Sequence, residues 1–179
     1  MVELKPLDVV LVVMASTLER GKWTIAAMAG VLGVSSSQAF RSAQQAAAVG
    51  FLHAERDGRR VGYRVHRAAL LEFLTHGVRY TFVPSRGRLT RGIPTAHGAP
   101  ILASHFRPTD DAVPVWPHPE GTVRGESLEP LHRCVPGAAL RHARFYDVMA
   151  LVDALRVGRA RDRAIAAELL PRSLGADAS

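Results

Sequence analysis

The first third of the chain has a regular spacing of apolar residues, and this spacing restricts the fold more than any other feature. A stripe at i, i+3, i+4, i+7 and i+11 predicts a first helix from Pro6 to about Arg20-Gly21. A second helix begins after the N-cap residue Thr24 and ends at Gly33. The two apolar stripes consist of Leu7, Val10, Leu11, Met14 and Leu18 in the first helix and of Ile25, Met28, Ala29 and Leu32 in the second.

A third helix and a β-hairpin follow. Ser35 and Gln38 have the spacing of a capping box, which predicts a helix that runs to Val49-Gly50. Two short strands, at 51–55 and 61–65, flank a segment with the hairpin turn signal Asp57-Gly58. A fourth helix is predicted over 67–76. The run at 78–83 then predicts another strand, which ends at Pro84.

Regular patterning stops between Pro84 and about Pro136. This stretch holds eight of the 11 prolines, before Pro136 itself is counted, together with many glycines. Because a structureless loop of this length is uncommon inside a compact domain, we expect an extended arm, a linker or a partner-binding surface. The alternative is an irregular segment that lies over the core. Helical patterning returns at Ala138, with an apolar face formed by Phe145, Val148, Met149, Val152 and Leu155.

Three small residues have the spacing of a helix-turn-helix motif. Ala29 lies four residues before the turn residue Gly33, and Ala39 lies six residues after it. Glycine permits the left-handed backbone of the turn, and the small residues let the two helices cross closely. Together with the capping box and the hairpin, they make residues 1–83 similar to winged helix-turn-helix DNA-binding regulators. The resemblance implies a winged helix-turn-helix domain over 1–83. With the Pro/Gly-rich arm or linker (84–136) and the C-terminal helices (137–179), which are candidates for dimerisation or partner binding, the predicted fold class is α+β.

A helical wheel of the third helix separates two faces. One face is small and apolar, and the other is polar without a carboxylate; no Asp or Glu occurs between Arg20 and Ala54. Arginine pairs with guanine, glutamine pairs with adenine, and serine contacts bases or phosphates. The alternative is that the polar side chains only solvate an exposed helix. The candidate DNA-binding residues of this helix are Ser36, Ser37, Gln38, Arg41, Ser42 and Gln45.

Basic residues also mark the hairpin. Arg56, Arg59 and Arg60 fit contacts to phosphates or to the minor groove, whereas Arg64 suits this role and an ordinary strand face equally well. The whole chain has 23 Lys and Arg against 16 Asp and Glu, a net charge of +7 that favours polyanionic partners. A further basic run at 86–92 predicts either an arm along phosphates or a solvated loop.

The winged-helix resemblance implies a sequence-specific double-stranded DNA-binding transcriptional regulator, a repressor that places helix 36–49 in the major groove and the 56–60 wing on the backbone or in the minor groove. Such regulators are usually homodimers, and the apolar face from Phe145 to Leu155 is a candidate dimerisation helix; its alternative is packing on the protein's own core. The chain from Pro84 onward loosely resembles the second half of antitoxin-type repressors encoded beside nucleotidyltransferase-type toxins. The alternative function is therefore a protein-interaction module that binds a partner protein through residues 84–179.

The sequence lacks the motifs that mark several other classes of protein. The sequence has no P-loop, no HExxH and no GxSxG, so we expect no enzyme, no cofactor and no metal site. Cys134 lies two residues from His132, but an inert thiol is expected rather than a nucleophile pair. The longest apolar stretch, 9–15, is too short to span a bilayer and follows acidic residues, which predicts a cytoplasmic protein without a membrane partner.

Overall fold

The computed structural model of the chain describes residues 3–18, 23–57, 60–106 and 112–175. The fold is a mixture of helices and small sheets, which confirms the predicted α+β class. In chain order the elements are α1 (Pro6–Thr17), α2 (Ile25–Leu32), α3 (Ser36–Ala48), β1 (Leu52–Asp57), β2 (Arg60–Val65), α4 (Arg67–His76), α5 (Val78–Thr81), β3 (Arg86–Pro94), a 3-10 turn (Ala96–Gly98), α6 (Pro100–Ala103), β4 (Pro114–Pro117), β5 (Val123–Leu128), α7 (Val135–Arg141), α8 (Ala143–Val157) and α9 (Ala160–Leu174).

The caps predicted for α2 and α3 are confirmed. Thr24 Oγ1 accepts a hydrogen bond from the Ala27 N–H at 3.1 Å. Gly33 ends α2 in the left-handed conformation with φ of 66°. Ser35 Oγ accepts from the Gln38 N–H at 3.2 Å, and Gln38 Oε1 accepts from the Ser35 N–H at 3.0 Å. These bonds use backbone donors that have no partner within the helix, so they fix where each helix begins.

The predicted β-hairpin is present, with β1 antiparallel to β2. Leu52 pairs with Val65 at its base and Asp57 pairs with Arg60 near its tip. The predicted turn residues Gly58 and Arg59 lie outside the described residues. Leu52 and Val65 are buried, so the base of the hairpin is anchored in the core.

The first helix is buried on every side. Each residue from Leu7 to Thr17 is buried, although the sequence predicts a helix with a single apolar stripe. The predicted helix is confirmed, and its other faces are covered as well, because α2 and α3 contact α1 from the N-terminal part of the chain while α4, α8 and α9 also contact it. The helix ends at Thr17, with Leu18 extended, before the predicted end at Arg20-Gly21, which lies outside the described residues.

The strand predicted at 78–83 is wrong, because Val78–Thr81 is a short helix, α5. Gly77 has a right-handed helical backbone, and its N–H donates to Phe73 O at 2.7 Å. The chain therefore continues helically through this glycine instead of stopping. Val78 is fully buried, and α5 packs on α8. Tertiary packing thus outweighs the strand preference of the local residues.

The described residues of the segment 84–136 include a small closed sheet, so this part of the chain is not the irregular arm or linker that the sequence predicts. Strand β3 is antiparallel to both β4 and β5, and β4 is parallel to β5. The basic run 86–92 belongs to β3 and is therefore not a flexible arm. A Cβ added at Gly92 would lie 2.2 Å from Trp116 O, and one added at Gly125 would lie 2.1 Å from Val113 O. The glycines that indicated loops are thus needed for close contact between strands.

The three predicted segments, 1–83, 84–136 and 137–179, all contribute side chains to one hydrophobic core. It includes buried side chains such as Leu11 and Leu70, Trp116, and Phe145 and Leu170. The apolar face of α8 lies in this core, so its proposed use as a dimerisation surface is wrong and its alternative, packing on the protein's own core, is confirmed. The division into domains stays a prediction. Within the described ranges, no helix is long and apolar enough to cross a membrane.

A buried polar cluster joins α8 to the small sheet. Asp153 is fully buried, and its Oδ2 accepts hydrogen bonds from Thr95 Oγ1 at 2.8 Å and from Trp116 Nε1 at 2.6 Å. Its Oδ1 pairs with Arg156 Nη1 at 2.7 Å, and Arg156 Nε donates to Phe82 O at 2.9 Å. Burial raises the pKa of Asp153, while the charge of Arg156 opposes that shift. The cluster holds the sheet and α5 against α8.

Candidate nucleic-acid interface

Helix α3 exposes a face that contains no carboxylate. Its buried side is formed by Ala39, Ala43 and Ala46 together with Ser42. Small side chains here allow α1 and α2 to pack closely against α3. The opposite face is centred on Ser37 and is open to solvent. Its exposed residues are Ser36, Ser37, Phe40, Arg41, Gln44 and Ala48.

Only some of the predicted DNA-binding residues lie on this exposed face. Ser36, Ser37 and Arg41 are exposed as predicted. Ser42 is only 5% exposed, so its prediction as a residue on the outer face is wrong. Gln38 and Gln45 are half-buried at the edge of the face, and Gln38 is already used in the cap of α3.

Phe40, Gln44 and Ala48 are exposed on α3 although the sequence did not predict them as part of the outer face. Phe40 was placed on the apolar side of the helical wheel, yet it is 47% exposed. The centre of the buried face lies near Ala39 and Ala46, which places Phe40 about 110° away from it on the wheel. The spacing of the three alanines was a signal that the outer face includes Phe40, and Ser42 is covered because α1 packs on that side.

The hairpin contributes part of the predicted basic surface. The side chains of Arg64 and Glu55 form an ion pair across β1 and β2, and both remain largely exposed. Arg64 is therefore partly neutralised. The backbones of Arg56 and Arg60 lie in β1 and β2, whereas their side chains and all of Arg59 lie outside the described part of the chain.

A groove of about 720 Å³ runs along one flank of α3. Its walls are the start of α1, the edge of α3 and His132, which precedes α7. We call it the α1–α3 groove. It is lined by Lys5, Pro6, Leu7, Asp8, Gln38, Arg41, Ser42, Gln44, Gln45, Ala48 and His132.

The two residues that the sequence raised as a nucleophile pair do lie close together. His132 Nδ1 is 3.0 Å from Cys134 Sγ. Burial raises the pKa of the Cys134 thiol from 9.0 to about 12, and burial together with Arg133 lowers the pKa of His132. The thiol is therefore protonated at neutral pH, whereas nucleophilic catalysis requires the thiolate. Among the residues that the structure describes, no group of three or more His, Cys, Asp or Glu is placed to hold a metal ion.

Comparison of the chain with protein-family models, with curated proteins and with solved structures finds no match. The resemblances to winged helix-turn-helix regulators and to antitoxin-type repressors therefore stay predictions from the sequence. What the protein binds has to be inferred from its own exposed side chains.

Proposed function

We propose that the protein is a cytoplasmic, sequence-specific double-stranded DNA-binding transcriptional regulator, a repressor, that inserts α3 into the major groove. The observation that carries the proposal is the exposed face of α3, which has Ser37, Arg41 and Gln44 at its centre and no acidic side chain. Carboxylates on such a face would repel the phosphates of DNA, and the nearest one along the chain after α3 is Glu55 in the hairpin.

The order of α1, α2, α3 and the β1–β2 hairpin supports this proposal. In winged helix-turn-helix proteins the first helix of the motif supports the second, which is the recognition helix, and the hairpin lies beside it on the DNA. Here Gly33 provides the turn between α2 and α3, and only Val49, Gly50 and Phe51 connect α3 to the hairpin. The wing arginines Arg56, Arg59 and Arg60 are then candidates for phosphate contacts.

Individual side chains of α3 match the edges of bases. The Nε of Arg41 donates to Ser37 O at 3.3 Å, and its terminal nitrogens form no hydrogen bond with a described residue. These terminal nitrogens can donate hydrogen bonds to the two acceptor atoms of a guanine, O6 and N7. Gln44 fits adenine, and Phe40 offers an apolar contact to the methyl group of thymine.

Homodimer formation is part of the proposal, since two half-sites supply the affinity that one small domain lacks. The two copies would have to meet through a surface other than the apolar face of α8, because that face is buried within the chain. The alternative, partner binding through residues 84–179, has less support. Among the described residues of that half, the exposed large apolar side chains are Leu89 and Leu140, and scattered exposed residues of this kind are common in soluble proteins.

The decisive experiment is selection of duplexes from a random DNA pool with the full chain, followed by anisotropy measurements on a selected and a shuffled duplex. Arg41→Ala is expected to weaken binding to the selected duplex by 1–3 kcal/mol, or about 5- to 150-fold, with a much smaller effect on the shuffled one. Arg172→Ala, an exposed position on α9, is the charge-matched control. The proposal fails if no sequence is enriched, or if Arg41→Ala behaves like the control.

A further inference from the structure

The α1–α3 groove contains a polar stripe that the outer face of α3 does not use. Gln38, Ser42 and Gln45 follow one another at helical spacing along the groove, and Arg41 lies at its border with the exposed face. The volume of the groove, about 720 Å³, lies within the range of small-molecule sites. These side chains therefore belong to a concave surface rather than to the convex face proposed to contact bases.

Ser42 is the residue that most clearly points to a ligand. It is 95% buried, and its hydroxyl forms no hydrogen bond with any described residue, although it lines the groove. Among the described residues no buried side-chain oxygen or nitrogen lacks a hydrogen-bond partner, so the Ser42 oxygen itself keeps some contact with solvent. Since Ser42 is otherwise covered and lines the groove, its hydroxyl is available to a ligand that occupies the groove.

The charges that line the groove favour an anion. Lys5 and Arg41 are exposed cations at its edge, and the Gln45 amide adds a neutral donor. The one carboxylate of the lining, Asp8, is only 2% exposed, and its Oδ2 already accepts a hydrogen bond from the Lys5 N–H at 2.8 Å. The accessible groups are thus mainly hydrogen-bond donors with a positive net charge, which suits the oxygens of a phosphate or carboxylate group.

We propose that the α1–α3 groove binds a small ligand through a phosphate or carboxylate group, which the hydroxyl of Ser42 and the amide of Gln45 contact while Lys5 and Arg41 neutralise its charge. Binding itself does not depend on the proposed function. The effect of the ligand on DNA binding does rest on the proposed function. If Arg41 contacts DNA, a ligand that holds Arg41 in the groove lowers the affinity for DNA.

Titration of the isotope-labelled full chain with inorganic phosphate, at an ionic strength kept constant with chloride, tests the site by NMR. We expect saturable shifts confined to the backbone amides of residues 5, 7, 8, 38–48 and 132 and to the side-chain amides of Gln38 and Gln45. Ser42→Ala and Lys5→Gln should each weaken phosphate binding about tenfold, since hydrogen bonds to a charged group are among the stronger ones. Arg172→Gln is the control for charge.

Ser42→Ala is expected to fold normally, because the hydroxyl that it removes has no partner, and urea unfolding checks this. The proposal is overturned if phosphate causes no saturable shift in the groove, or if a folded Ser42→Ala variant binds phosphate as tightly as the natural protein. Either result leaves the selection of DNA sequences unaffected, so failure of this site and failure of the proposed function are distinguishable.

A short duplex of random sequence, added to the phosphate-saturated protein, identifies the source of the anion. If the duplex displaces phosphate from the groove and shifts the same amides, the backbone of DNA supplies the phosphate group. If the phosphate-dependent shifts persist, a free ligand supplies it. Both results support the oxyanion site and differ only in its occupant.

Discussion

At the scale of single residues, the side chains of α3 divide its surface into three strips. Ala39, Ala43 and Ala46 face the core, and their small size permits close packing by α1 and α2. Ser42 and Gln45 face the groove. The outer strip, which includes Phe40, is exposed to solvent. Residues only one position apart along the chain therefore have separate roles.

Phe40 is predicted to contact the methyl group of a thymine. Phe40→Ala should weaken binding to a selected duplex about fourfold, since one buried methyl contributes about 0.8 kcal/mol. Replacing the contacted thymine by deoxyuridine should cost the natural protein the same amount and the variant almost nothing, and anisotropy measures both. If deoxyuridine weakens both proteins equally, Phe40 does not contact that methyl group.

Asp153 is predicted to be essential for stability. Asp153→Ala removes the carboxylate that pairs with the guanidinium of Arg156, whose side chain is only 3% exposed. We expect a loss of about 3–5 kcal/mol in the free energy of unfolding, the range for a broken buried ion pair. Urea unfolding measures this loss. Asp147→Ala on the same helix is the control and should cost less than about 1 kcal/mol. Equal effects of the two substitutions would show that the buried pair adds nothing.

At the scale of elements, helices with local signals were predicted well and elements held by distant contacts were not. The starts of α2 and α3 follow from Thr24 and from the Ser35–Gln38 box, because caps act within one helical turn. The identity of α5 depends on α8, and the strands of the small sheet depend on one another. Patterns along the chain contain no information on such partners, so the strand at 78–83 was predicted wrongly and β3, β4 and β5 were missed.

Alanine substitutions at Gly30, inside α2, and at Gly33, which caps its C-terminus, are predicted to have opposite effects on stability. Gly33→Ala forces a side chain into the left-handed conformation and should destabilise the protein by about 1–2 kcal/mol. Gly30→Ala lies inside the helix with no atom within 4 Å of the added Cβ, so it should stabilise the protein by about 0.5–1 kcal/mol. Thermal and urea unfolding of both variants provide the measurement, and a stabilising Gly33→Ala would contradict the assigned turn.

At the scale of the whole molecule, the N-terminal and C-terminal halves share α1. This helix contacts α2 and α3 as well as α8 and α9, and α4 also contacts α8 and α9. Hydrogen bonds connect the same halves, from Arg67 Nε to Leu174 O at 2.9 Å and from Arg144 Nη1 to Thr17 O at 3.2 Å. The helices that resemble a DNA-binding domain are thus packed directly against the C-terminal helices.

A chain cut after Val83 is therefore predicted not to fold. Removal of α8 and α9 uncovers apolar side chains of α1 and α4, and exposed apolar surface of this extent favours aggregation. The dispersion of amide signals in an NMR spectrum distinguishes a folded fragment from an unfolded one. A chain cut after Gly175 is the control and should give the spectrum of the full protein. A well-dispersed spectrum for residues 1–83 would show instead that they form an independent domain.

The sequence by itself determined the α+β class, the caps of α2 and α3, the hairpin and the absence of carboxylates from α3, because these depend on residue type and on neighbours within one or two turns. The tertiary structure alone decided that α1 is buried on every side, that the Pro/Gly-rich segment forms a sheet, and that Phe40 rather than Ser42 is exposed. Each of these depends on which distant element covers a surface, and that choice maximises apolar burial over the whole chain rather than along any one segment.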